Sequence, residues 1–207
     1  FGVHQRLALR QKSPFADLLA MSATPIPRTL ALSFYGDLTC SFIKHKPFST
    51  AKVTTKVLVN ENVSVAYDAV AACIEQGQQA YIICPLIDNQ DARTTVDDIA
   101  PNAQSSAQTL HSAQQTFEAL KRSSFSAYRI GLLTGRMDNV EKDRVMSQFR
   151  AHKLDVLVAT TIVEVGVDVP RACAMIILDA DRFGLATLHQ LRGRVGRGSL
   201  AAQVYLV

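Results

Sequence analysis

From Val53 to the end of the chain, apolar positions switch repeatedly between continuous runs and a helical spacing, the pattern of strands alternating with helices. "VTTKVLV" (53–59) predicts a strand, and residues 64–76 predict a helix with Tyr67, Val70 and Ile74 on one face and Gly77 as its stop. "QAYIICPLI" (79–87) is apolar throughout, which fits a strand covered on both faces. A helix is expected over 108–122 and a strand over "YRIGLLT" (128–134). Asp138 with Glu141 resembles a capping box and opens a helix reaching about Ala151. The strands "DVLVAT" (155–160) and "AMIILD" (174–179) follow, then a helix carrying "HQLRGRVGRG" (189–198) and a last strand "QVYLV" (203–207). Strands separated by helices of this length imply an α/β fold, a parallel sheet with helices on both faces. Ligands are then expected at the carboxyl ends of the strands. Residues 88–107 are polar and unpatterned and read as a long loop.

The first fifty residues read as the end of a different unit. "DLLAMSA" (17–23) suggests a short buried strand, and "TPIPRTLALSFYG" a helix that tolerates Pro25 and Pro27 in its first turn and stops at Gly36. "CSFIKH" (40–45) suggests another strand, and "KPFSTAK" (46–52) a linker. Two domains are expected, 1–50 and 51–207. A start at Phe1 rather than Met suggests a piece of something longer.

Composition narrows the function classes only a little. The 207 residues are 48% hydrophobic and 19% charged, and no apolar run approaches the length that crosses a bilayer. With no signal peptide, a cytoplasmic protein without membrane association is expected. A net charge of +4 permits a nucleic-acid partner without requiring one. Cys40, Cys73, Cys84 and Cys173 are far apart in apolar contexts and read as buried, reduced thiols. With the histidines equally scattered, no metal site is expected.

"HQLRGRVGRG" brings the chemistry in. At about 100° per residue, Gln190, Arg194 and Arg197 fall on one face of a helix and Leu188, Leu191 and Val195 on the opposite one. Gly193 and Gly196 flank the polar face, although two glycines inside a helix should cost roughly 1 kcal/mol each. A solvated basic face is the plain reading. The sharper one is a polyanion clamp, in which guanidinium forks meet phosphate oxygens and glycine clears the approach.

Three further stretches come after expected strand ends: "SATPIPR", "GRM" (135–137) and "TTIVEVGVDVP" (160–170). Thr160 and Thr161 offer hydroxyls, and Gly166 with Asp168 forms a turn bearing one carboxylate. Each alone has a commoner use, as a cap, a turn or a surface charge. No G-x-x-x-x-G-K-[ST] loop occurs, nor an acidic pair to hold Mg²⁺ beside one. The arginines suit a triphosphate, but its cradle must come from elsewhere.

Taken together, "SATPIPRTLALSFYGDL", "LLTGRM", "ATTIVEVGVDVP" and "DRFGLATLHQLRGRVGRG" resemble motif III, the GRM segment, motif V and motif VI of superfamily 2 DNA helicases, most closely the RecG branch-migration helicases. The resemblance implies a RecA-like second lobe over 51–207, preceded by the end of a first lobe, in a monomeric protein. It implies ATP with Mg²⁺ as cofactor, bound mainly by first-lobe motifs outside this chain, and branched or forked DNA as partner. By position, Gln190, Arg194 and Arg197 would reach ATP, the two arginines as arginine fingers. Gly166 and Asp168 would serve the nucleotide side of motif V, and Thr160 and Thr161 its DNA side. Ser22 and Thr24 would couple hydrolysis to lobe movement, and Arg136 would approach the DNA backbone. Thr134 stands where relatives commonly have His before "GRM". The transcription-repair coupling translocase shares "TPIPRTL" and "HQLRGRVGR" and remains an alternative. So do a non-catalytic nucleic-acid-binding module and an unrelated enzyme of a small phosphorylated metabolite, which would need one self-sufficient pocket.

Overall fold

The structure, a computed structural model, describes residues 52–59, 62–85, 112–160, 169–198 and 200–207 with a few isolated positions before them. The chain divides into two compact units, Phe1–Cys40 and Ser41–Val207, and the sheet with its helices belongs to the second. The strands and helix expected over 17–45 and the loop expected over 88–107 lie outside the described residues.

Six strands form one sheet: β1 (Val53–Val57), β2 (Gln79–Ile83), β3 (Ile130–Leu133), β4 (Val156–Ala159), β5 (Ala172–Ile177) and β6 (Ala202–Leu206). Their order is β1-β6-β5-β2-β4-β3 and every pairing is parallel. All carboxyl ends therefore share one edge and all amino ends the other. Among the described residues of this unit four α-helices accompany the sheet: α1 (Val63–Glu75), α2 (Ala113–Lys121), α3 (Asn139–Arg150) and α4 (Leu185–Arg192). The apolar sides of α1 and α2 pack on one face of the sheet, and those of α3 and α4 on the other. Every residue of β2, β4 and β5 is buried, which is why these strands carry unbroken apolar runs. Edge strand β1 keeps polar residues and is mostly exposed.

Helix boundaries follow local chemistry. In α1, Ala66, Val70 and Ile74 face the sheet at intervals of four, and Gly77, at φ 73°, ends the helix in the left-handed conformation that glycine takes freely. Asp138 Oδ1 accepts from the Glu141 backbone N–H at 2.7 Å and opens α3 as expected. Helix α2 starts at Ala113 rather than at 108, because Ser112 and Gln115 form a reciprocal capping box.

Two polar clamps fix the amino edge. The buried Gln79 amide donates to the carbonyls of Phe149 and Leu154, both at 2.7 Å, joining the start of β2 to the turn after α3. Asp155 accepts from the Arg129 backbone N–H at 2.9 Å and from its guanidinium at 3.0 and 2.5 Å, joining β3 to β4. Burial raises the carboxyl pKa of Asp155, but the Arg129 hydrogen bonds outweigh it and hold the group below its ordinary value.

Candidate functional site

The expected site residues separate to opposite edges of the sheet. Thr160 follows the last residue of β4, and its backbone N–H donates to Leu133 O at 3.2 Å. Its hydroxyl is buried and has no partner among the described residues. Arg136 is exposed in the turn after β3, where the Met137 N–H donates to Thr134 O at 3.3 Å. Both therefore stand at the carboxyl edge. Ser22, Thr24, Thr161, Gly166 and Asp168 lie outside the described residues.

The arginine motif lies at the amino edge. Helix α4 ends at Arg192, with Gly193 as its C-cap at φ −68°. The chain then turns: Arg194 N–H donates to Leu191 O at 2.9 Å, and Gly196 N–H to Ala172 O, at the start of β5, at 3.1 Å. Arg197 Nε donates back to Gly193 O at 2.9 Å. Gln190 is half-buried on α4, Arg194 half-buried in the turn and Arg197 exposed beyond it.

This corrects the expected helical face. Only Gln190 lies on the helix; Arg194 and Arg197 fall in and beyond the turn that follows it, so a helical spacing of four and seven does not relate the three. For Gly196 the structure supplies a reason of its own. Gly196 sits at φ 69°, and a Cβ there would stand 2.7 Å from Val53 Cγ2 and 3.0 Å from Ala202 Cβ. A Cβ on Gly198 would stand 2.6 Å from Pro170 O. The chain's own packing demands these glycines, whether or not a phosphate approaches. The general expectation of ligands at the carboxyl ends does not describe the arginine group either, since Gly196 touches the first residues of β1, β5 and β6.

Asp179, not singled out from sequence, joins the carboxyl edge two residues after β5. It takes the left-handed conformation at φ 49° and ψ 50°, a conformation that persists in non-glycine residues where the surroundings hold it. The signal in sequence was an aspartate directly after an apolar strand. Nearby, the Cys84 thiol donates to Thr116 Oγ1 at 3.5 Å. Burial, assisted by the charge of Asp179 and opposed by the Thr116 hydrogen bond, pushes that thiol up to about 11.

The described residues do not enclose these groups in one pocket. A shallow depression of about 310 Å³ at the carboxyl ends of β1 and β6, lined by Val57, Ala180, Asp181, Leu188, Leu206 and Val207, is largely apolar and holds none of the expected site residues. Among the described residues, no group of three or more His, Cys, Asp or Glu is placed to hold a metal ion, and no helix is long and apolar enough to cross a membrane.

Residues 61–199 match the helicase conserved C-terminal domain. The chain belongs to that family. Over its full length this helicase C-terminal domain is 44% identical to the ATP-dependent DNA helicase RecG of Thermotoga maritima, covering 25% of that protein. It is 41% identical to the RecG of Staphylococcus epidermidis, covering 28%. It thus spans about a quarter of the length of the curated relatives it matches. Among solved structures, it is similar to RecG bound to a three-way DNA junction, at a TM-score of 0.69 and 42% identity, over 90% of this chain and 22% of that one. The Mycobacterium smegmatis helicase Lhr, at 16% identity and a TM-score of 0.53 over 89% of this chain and 23% of that one, shares the fold. The six-stranded parallel sheet is that of the RecA-like second lobe of such helicases.

Proposed function

We propose that this chain supplies the second motor lobe, over 51–207, and the tail of the first lobe, over 1–50, of a cytoplasmic, monomeric ATP-dependent DNA helicase of the RecG type. Such a protein remodels branched DNA, such as forks and Holliday junctions, in recombination and repair. The observation that carries this reading is identity of 41–44% to RecG helicases across all 207 residues.

The residues present fit a nucleotide that is touched rather than held. Arg194 and Arg197 offer guanidinium groups at one end of the lobe, but neither a phosphate loop nor Mg²⁺ carboxylates accompany them. ATP with Mg²⁺ would supply the phosphoryl chemistry when bound by the first lobe. The second lobe's part is to bring charge to the transferring group as the lobes close, through Arg194 and Arg197 with Gln190 beside them. Gly166 and Asp168 would serve the same side of motif V. Thr161 and Arg136 would contact sugar-phosphate at the other edge, without reading bases, and Thr160 would join them once its buried hydroxyl is uncovered. Ser22 and Thr24 would couple the two events.

The separation of Arg194 from Thr160 and Arg136 to opposite edges supports this division, since one lobe must meet nucleotide and DNA at once. The test is the intact protein's ATP hydrolysis with and without a three-way junction, alongside conversion of that junction to its component arms. DNA-stimulated turnover with ATP-dependent conversion is expected. DNA binding without turnover would instead make the chain part of a non-catalytic binding module.

A further inference from the structure

The amino edge carries a second concentration of charge, which starts beside the arginine motif at β5 and runs away from it toward β3. Six exposed cations meet there from separate segments: Lys121 and Arg122 at the end of α2, Arg129 before β3, Arg150 and Lys153 around the turn from α3 to β4, and Arg171 before β5. Hydrogen bonds between the strand starts tie their carriers together. Asp155 N–H donates to Arg129 O at 2.7 Å, Ala80 N–H to Asp155 O at 3.0 Å, and Gln79 N–H to Arg171 O at 2.9 Å. Arg129 and Arg171 thus flank four adjacent strands, β3, β4, β2 and β5, an edge of about 14 Å at the usual strand spacing.

Few acids offset this charge among the described residues. Asp155 is held by Arg129 and its side chain is only 11% exposed. Glu75 ends α1, and Glu118 lies one turn back on α2. The carboxyl edge is different: Arg136, Lys142 and Arg182 are mixed there with Asp138, Glu141, Asp179 and Asp181. The helix macrodipole accounts for Lys121 and Arg150, which sit at helix C-termini. It does not account for Arg129, Lys153 and Arg171, which belong to turns.

We propose that this amino edge is a second DNA-contact surface, which grips the phosphate backbone of a duplex arm independently of the contacts at the carboxyl edge. The inference rests on the reading of the chain as part of a branched-DNA helicase. Duplex DNA carries one charge per roughly 1.7 Å of axis, so an edge of this length faces several phosphates, and lysines and arginines scattered over separate turns suit backbone rather than bases.

The test is the salt dependence of duplex binding by the intact protein, measured without nucleotide by fluorescence anisotropy. Lys153→Glu with Arg171→Glu removes two contacts while sparing Arg129, whose pairing with Asp155 is structural. Lys56→Glu with Arg144→Glu, on β1 and in the middle of α3, changes net charge equally away from both edges and is the control. The first pair should weaken duplex binding roughly ten-fold or more and make the plot of log K against log salt shallower by about 2, while the control keeps the parental slope. Unchanged binding, or equal loss in both pairs, would overturn the proposal. Binding of poly-L-glutamate that disappears in the first pair while duplex binding survives would also overturn it, in favour of an acidic protein segment. Because no nucleotide is present, an intact protein lacking ATP hydrolysis would fail the helicase reading and leave this result interpretable.

Discussion

Arg197 reaches back over the end of α4 and donates its Nε–H to Gly193 O at 2.9 Å. The carbonyl it meets is one of those that a helix leaves unsatisfied at its C-terminus. The last arginine of the motif therefore closes the helix from outside and does not extend it. The glycines that looked costly inside a helix lie at its cap and beyond it, and at Gly196 backbone geometry and close packing call for one.

Gly196→Ala should therefore act on stability. A side chain at φ 69°, pressed against Val53 and Ala202, should destabilise the domain by about 1–3 kcal/mol. Gly193→Ala, at φ −68° and with Gln190 O 3.3 Å from the added Cβ, should lose less. Urea unfolding of both variants measures the difference. Equal stability of Gly196→Ala and the parent, with ATP turnover lost, would restore phosphate approach as the reason for that glycine.

Asp155→Asn should also destabilise the domain, by about 1–3 kcal/mol at neutral pH, since a part-buried carboxylate accepting three hydrogen bonds is neutralised. The folded-state pKa of Asp155 is lowered, so its contribution is complete above the ordinary carboxylate value and is lost as pH falls through the folded one. The gap in urea midpoint between parent and variant should be widest near neutrality and narrow in acid. A gap that stays constant with pH would mean that geometry, not charge, is what the pair supplies.

Much of the sheet was legible because burial on both faces leaves no room for polar residues in β2, β4 and β5, and parallel order follows from helices between strands. The Asp138 cap was legible for a similar reason: its signal lies within four residues. The Ser112 and Gln115 cap was equally local and went unread. The end of α4 could not be read from periodicity, because Leu188, Leu191 and Val195 keep helical spacing while Val195 reaches the core from a turn. What ends the helix is tertiary, the bond from Gly196 to Ala172 across twenty-four positions of sequence. The basic amino edge was invisible for the same reason, since its cations are scattered between 121 and 171 and only the strand order gathers them.

The 207 residues alone should not hydrolyse ATP. They contain the arginines but no phosphate loop and no acidic pair for Mg²⁺. Phosphate release by the purified chain, with and without branched DNA, should match a boiled control. Clear turnover would mean that a complete nucleotide site exists within this chain, against the two-lobe reading.

The decisive substitutions are those that change guanidinium geometry while keeping charge. In the intact protein, Arg194 should act only when the lobes close, on charge developing at the transferring phosphoryl group, so its loss should lower turnover far more than ATP affinity. Arginine fingers in comparable sites are worth about 10³ to 10⁵ in rate, and Arg194→Ala should fall on that order. Arg194→Lys should recover little, because lysine lacks the planar fork. Arg192 is the internal control: it is the last residue of α4 and exposed, whereas Arg194 is half-buried in the turn that Leu191 O anchors at 2.9 Å. DNA-stimulated turnover of Arg192→Lys should stay near the parent's. Near-normal turnover in Arg194→Lys would return the motif to a solvated basic surface, and equal damage from both substitutions would mean that the turn does not select between the two arginines.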